Sequence, residues 1–144
     1  MAGASFRVPF PAAGKGLFLY FNMADLEELE TIFGIGEVFS SCEEFLLNKP
    51  SATHTMKLLS VGLKYDDGSG KTLKAFPEKV EGAPDDLPFP MVGAAEPIMD
   101  AIALCIYGKS HKDLVEEALE RQKKMQQELQ KTERGDDPFL GSGE

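Results

Sequence analysis

Glu96-Pro-Ile-Met-Asp-Ala-Ile-Ala-Leu-Cys-Ile-Tyr-Gly108 is the most continuously apolar stretch of the chain. Its spacing predicts a helix. Pro97 suits a first turn, where its missing N–H has no intrahelical partner to lose. Ile98, Ile102, Cys105 and Ile106 recur at i, i+4, i+7 and i+8, the period of one helical face. Ala101, Ala103 and Leu104 carry apolar character around the other sides, and Asp100 is the one charged residue between Pro97 and Gly108. A helix apolar almost all round is normally central to a fold. At about eleven residues it is too short to cross a bilayer, which takes roughly 20. Gly108 supplies the stop expected at a helix C-terminus. The expected architecture places this helix in the middle, with the other segments around it.

Bulk composition agrees with one globular domain. The chain has 144 residues, 42% apolar and 27% charged, which is enough chain to bury a core. The net charge of −9 argues against nucleic acid as the main partner, because phosphate contacts need Lys and Arg. It argues equally against docking on an anionic membrane surface. Cys42 and Cys105 both sit in apolar helical patterns, and are read as small buried hydrophobes rather than a disulfide, a metal pair or a nucleophile. Met1-Ala-Gly-Ala-Ser5 runs into Arg7 and two prolines without an apolar signal core, so a cytosolic protein is expected.

Working outward from the central helix, Phe6, Val8 and Phe10 alternate with polar or proline positions, a strand period restricted to a sheet edge by Pro9. Leu17 to Phe21 reads as a second short strand, and a hairpin of the two would need helices behind it. Asn22 is a good N-cap, and Asp25 falls in the first turn of a helix faced by Leu26, Leu29 and Phe33 and ended by Gly34. Val38, Phe39, Cys42, Phe45 and Leu46 face a second helix, closed before Pro50. Ser51 caps a third, with Met56, Leu59 and Leu63 on one face. Tyr65 to Lys71 reads as a turn-rich loop, and Gly82 to Pro90 as a proline-rich one. Thr72 to Val80 is ambiguous, with a short helix at Pro77–Val80 as one option. Met91 to Ala95 reads as one helical turn leading into the central helix.

After Gly108, Ser110 and Asp113 resemble a capping box opening a last helix. The expected division is a helical domain with an N-terminal hairpin over 1–109, a long charged C-terminal helix over 110–133 and a flexible tail over 134–144. The fold class is mainly α (α+β). Leu114, Ala118, Met125 and Leu129 lie on roughly one face of the last helix, beside Val115 and Leu119. The first half is expected to pack. The second half offers only Met125 and Leu129 among charges, too little apolar area to hold it down. It is either a solvated helix end or a contact surface for a partner or a second copy, with Met as an adaptable element. Leu114, Met125 and Leu129 are the candidate partner-binding residues.

Chemical motifs are weak. Gly68-Ser-Gly-Lys-Thr72 invites a phosphate-loop reading, but the position where that motif needs its first glycine holds Tyr65, and a helix rather than a strand is expected before it. His54 and His111 have no ligand at zinc spacing. Asp66-Asp67 and Asp85-Asp86 are adjacent loop pairs, poorly placed as acid/base couples. No catalytic, cofactor or metal site is assigned, and the residues point to protein interaction rather than catalysis.

The order of segments carries a resemblance. Phe21-Asn-Met-Ala-Asp-Leu-Glu-Glu-Leu-Glu30, a glycine-interrupted second helix, and Leu58-Leu-Ser-Val-Gly-Leu63 before an acidic loop resemble a phage tail assembly chaperone, of the variety found in gene transfer agents and related siphophages. Asn22, Ala24, Leu26, Leu29 and Glu30 match an "N-A-L-x-x-L-E" helix of that family. Leu58, Leu59, Gly62 and Leu63 match its "L-L-x-x-G-L" helix, and Ala103 to Lys109 echo a final "A-L-x-G-K". The resemblance spans about Phe6 to Lys109. The chain departs from the pattern in the proline-rich insertion at Ala83–Pro90 and in the charged extension after Lys109.

The resemblance implies a non-enzymatic protein in the host cytoplasm, absent from the finished particle. Its implied partners are the tape measure protein, which it keeps soluble, and the tail tube protein, whose polymerisation it helps. Three other classes compete with this expectation: a structural tail or head–tail connector protein of the virion, a small cytosolic protein-interaction adaptor, and an enzyme with an unrecognised site. Presence in purified particles would favour the first of these.

Overall fold

The computed structural model describes the backbone of residues 6–142 and the side chains of residues 6–130. Met1–Ser5, read above for a signal core, lie outside the described residues. The chain divides into two units, Met1–His111 and Lys112–Glu144.

The first unit is α+β. It contains β1 (Val8–Pro9), β2 (Phe18–Leu19), α1 (Met23–Phe33), α2 (Val38–Cys42, continuing as a π-helical turn over Glu43–Asn48), α3 (Ala52–Gly62), β3 (Leu63–Asp66), β4 (Thr72–Lys74) and α4 (Ala95–Tyr107). The expected N-terminal hairpin is present, with β1 and Pro9 at the sheet edge. The sheet is larger than expected: four antiparallel strands in the order β1-β2-β3-β4. Leu63 belongs to β3 rather than to the end of α3, because its backbone turns extended (φ −79°, ψ 124°) and pairs with Leu19. The stretch read as a loop from Tyr65 and the ambiguous segment after it form the β3–β4 hairpin, with Tyr65 opposite Leu73 and Asp66 opposite Thr72. Pro77–Val80 forms turns rather than a helix.

Local signals act where they were read. Asn22 and Asp25 cap α1 reciprocally: the Asn22 side chain accepts from Asp25 N–H at 2.8 Å, and Asp25 Oδ2 accepts from Asn22 N–H at 3.0 Å. Ser51 Oγ accepts from His54 N–H at the start of α3. Gly108 closes α4 in the left-handed region at φ 75°. Pro50 has no N–H for the Leu46 carbonyl, so the α ladder of the second helix cannot continue there. The helix widens instead, and Lys49 N–H donates to the Glu44 carbonyl five residues back.

α4 is central, as expected. Ile98, Met99, Ala101, Ile102 and Ala103 are fully buried, and the first four share one core with Leu19, Leu29, Leu58, Leu59 and Leu63. Its apolar stripe outruns that core. Cys105 is half-buried and Ile106 and Tyr107 are exposed. Asp100, the charge inside this apolar helix, has a partner: its Oδ1 accepts from His111 N–H at 2.9 Å.

Lys74 on β4 pairs with Glu28 on α1 at 3.5 Å, and two closer contacts tie the helices to the sheet region. Lys64 on β3 reaches Asp25 at the start of α1, and the pair is buried on both sides. The Lys64 ammonium also lies 5.1 Å from the Tyr20 ring centre. Gly62, the last residue of α3, lies under Phe21: a Cβ there would sit 2.2 Å from the ring, and Phe21 is itself buried.

α5 (His111–Ser142) forms the second unit apart from its first residue. Its helical backbone runs past Glu133, where the sequence reading ends the helix. Residues 131–144, which include the expected tail, lie outside the described side chains. Val115 and Leu119, expected to pack, are exposed.

Removing one member of the buried ion pair, by Asp25→Asn or Lys64→Met, should cost about 3–5 kcal/mol in denaturant unfolding, because the remaining charge is stranded. The Asp25→Asn/Lys64→Met double variant should recover a large part of that loss. Additive losses in the cycle would show that the two charges do not interact. Gly62→Ala should cost roughly 1–3 kcal/mol through overpacking, and the smaller side chain of Phe21→Leu should relieve part of it in the double variant.

Candidate functional site

Reactive side chains in the first unit are occupied or inert. Burial pushes the Cys42 thiol up to about 12, so it carries almost no thiolate at neutral pH. The Cys105 thiol is raised as well, first by burial and then by the Asp25 carboxylate, against an opposing effect of Lys64. His54 is an aromatic packing element. Its ring stacks on Phe45 at 4.1 Å with an 8° interplanar angle, and Nδ1 lies 2.8 Å from Ser51 Oγ. His111 is buried between carboxylates, with Nε2 3.1 Å from Glu43 and Nδ1 3.3 Å from Glu96. Among the described residues no cluster of His, Cys, Asp and Glu could hold a metal ion.

The Gly68–Thr72 segment resolves as a hairpin turn. It follows β3 but opens into a strand, not a helix. Asp67 accepts from Ser69 N–H at 2.8 Å, Ser69 Oγ at 2.7 Å and Lys71 N–H at 3.3 Å. Those amides already face a carboxylate, so an incoming phosphate would meet like charge. The Ser69 hydrogen bonds hold the Asp67 carboxyl below the usual carboxylate range. The Arg7 hydrogen bond, at 2.7 Å, does the same for Asp66.

What remains is an apolar surface. α1, the start of α2 and the end of α4 enclose a groove of about 250 Å³, lined by Leu26, Gly36, Val38, Phe39, Ile106 and Tyr107 with Glu30 at its edge. Each wall has a local cause. The Gly34-Ile35-Gly36 turn separates α1 from α2, with both glycines at positive φ and Ile35 85% exposed. Tyr107 meets Phe39 edge-on at 5.2 Å. Ile106 and Tyr107 are the continuation of the α4 stripe beyond the core. Glu30 is the one charged residue in its lining. The signal available in the sequence was an apolar period that ran to Gly108 without a break, together with an isoleucine between two glycines. Neither says that the residues converge.

The sequence-assigned residues Leu114, Met125 and Leu129 lie on α5, in the other unit. Leu114 is half-buried, and Met125 and Leu129 are 62% and 61% exposed. Among the described residues no single helix is long and apolar enough to cross a membrane.

No protein family, curated protein or solved structure matches the chain.

Lys71→Ala should leave thermal stability unchanged and should abolish nothing measurable with nucleotide. Calorimetric binding of ATP or GTP by the parent chain, lost in this variant, would overturn the hairpin-turn reading.

Proposed function

We propose that this chain is a non-enzymatic tail assembly chaperone that binds a tape measure protein and assists tail tube assembly in the host cytoplasm. The observation that carries the reading is the apolar groove between α1, α2 and α4, with the Glu30 carboxylate in its lining. A tape measure is a long amphipathic chain whose apolar stripe is exposed until the tube encloses it. Helix-in-groove packing covers such a stripe without covalent chemistry or cofactor. A groove of this size accepts a few apolar side chains from one helix, and the Glu30 carboxylate in its lining favours a Lys or Arg beside that stripe. Adaptable, modest contacts also suit a partner that must be released when the tube closes. The segment order from Phe21 to Lys109, similar to that of the chaperones, supports the same reading.

Co-expression with the tape measure protein encoded in the same genome tests it. The full chain should keep the tape measure soluble and co-purify with it. Ile106→Asp/Tyr107→Asp should stay folded with a modestly lowered melting temperature, because both side chains are exposed and the Tyr107–Phe39 ring contact is lost, and should weaken binding at least about tenfold. A tape measure that is soluble alone, or is held equally well by the variant, would overturn the proposal. So would recovery of this chain in stoichiometric amounts from purified particles.

A further inference from the structure

His111, the last residue of the first unit, is buried just beyond the turn that ends α4. Both of its ring nitrogens face a carboxylate. Nε2 lies 3.1 Å from Glu43, on the π-helical turn that continues α2, and Nδ1 lies 3.3 Å from Glu96 in the first turn of α4. A third carboxylate, Asp100 of α4, accepts the His111 backbone N–H at 2.9 Å. The Phe39 ring of α2 lies 6.1 Å away, centre to centre. Lys109, Lys112 and Asp113 flank His111 in the sequence and are exposed.

A neutral ring cannot satisfy both glutamates. A carboxylate only accepts hydrogen bonds, and neutral imidazole has one N–H and one lone pair. Donating to Glu43 and Glu96 together takes both N–H groups, and so takes the imidazolium. In a neutral ring, one of the two contacts sets a lone pair against a carboxylate oxygen. The glutamates differ in how easily they can leave that contact. The Glu96 side chain is 59% exposed and the more distant, whereas Glu43 is 39% exposed.

We propose that His111 is a proton-operated tie between α2 and α4. With both nitrogens protonated it bridges Glu43 and Glu96. When Nδ1 gives its proton to water, the ring keeps Nε2–H for Glu43, and Glu96 turns into solvent. Histidine ordinarily changes charge between about pH 5 and 8, so the tie is complete on the acid side of the His111 titration and loses one arm on the alkaline side. The bond to Asp100 uses the backbone N–H, which the ring's charge does not alter. The chain after α4 therefore stays anchored while the side-chain bridge opens. The inference concerns this cluster alone and is independent of what fills the groove.

NMR of the ring nitrogens and thermal unfolding of the full chain, each followed from about pH 5 to pH 9, test the tie. Both His111 ring nitrogens should carry hydrogen at the acid end, and Nε2 alone at the alkaline end. Across that titration the thermal midpoint of the first unit should fall by about 3–6 °C more in the parent than in His111→Gln, which keeps His54 and the carboxylates. Glu96→Gln gives a second reading that does not depend on how well His111→Gln folds. Its amide can accept from Nδ1–H or, turned over, donate to the Nδ1 lone pair. In that variant the ring should titrate at lower pH than in the parent, and the alkaline fall in midpoint should shrink by about half or more. A ring that stays neutral or stays charged throughout, a neutral ring with its hydrogen on Nδ1, or a Glu96→Gln chain that keeps the parent's full alkaline fall would each overturn the proposal.

Discussion

The buried contact between Asp25 and Lys64 constrains the first unit more than any other polar interaction in it. Asp25 does two jobs at once. Its carboxylate accepts the Asn22 N–H that would otherwise be unsatisfied at the head of α1, and it neutralises the Lys64 ammonium carried by β3. Neither charge tolerates burial alone, since desolvation of an unpaired ion costs several kcal/mol. The pair is therefore a positional requirement: α1 must begin where β3 passes. The sheet register that places Lys64 opposite Phe18 and Leu63 opposite Leu19 is the same register that delivers the ammonium to the helix. Gly62 adds a steric condition, because any larger residue there would collide with the buried Phe21 ring just beyond β2.

Around this fixed corner, α4 completes the core and then leaves it. Its first three turns bury Ile98, Met99 and Ile102 against residues from the sheet and from α1 and α3. Its last turn presents Ile106 and Tyr107 outside that core. Surface apolar residues scattered singly need no explanation, but residues converging on a concavity with Leu26 and Phe39 do. The unusually even apolar character of α4 thus contributes to two surfaces, the buried core and the wall of the groove. The two thiols are raised by burial, and the two histidines are engaged by rings, a hydroxyl and carboxylates.

Polar residues that looked incidental turn out to be partners across long sequence separations. Asp100 is the one interruption in the apolar period of α4, and it accepts the His111 amide. His111 lacks zinc-ligand spacing and packs between Glu43 and Glu96. Arg7, near the N-terminus, lies 4.3 Å from the Phe18 ring centre and donates to Asp66 on β3. Each of these ties segments together through charge-assisted hydrogen bonds. None of them implies a reaction.

The sequence by itself determined the elements whose causes are local. The Asn22–Asp25 cap, the Ser51 cap, the Gly108 stop, the edge position of Pro9 and the burial of Ile98 and Ile102 depend on residues within a turn or two of one another, or on a periodicity carried by one segment. The mainly α, α+β class followed from these. Tertiary structure decided the rest. The β3–β4 hairpin was hidden because its strands are short and its turn chemistry resembles any polar loop; only pairing with β2 makes Leu63 a strand residue. Lys64 reads as a surface charge until Asp25 is placed beside it. The groove did not exist in the sequence at all, because Leu26, Phe39 and Tyr107 belong to three helices whose convergence is set by packing. The apolar side of α5 is legible in the sequence as a period, whereas the exposure of Val115, Leu119, Met125 and Leu129 is a property of the folded chain.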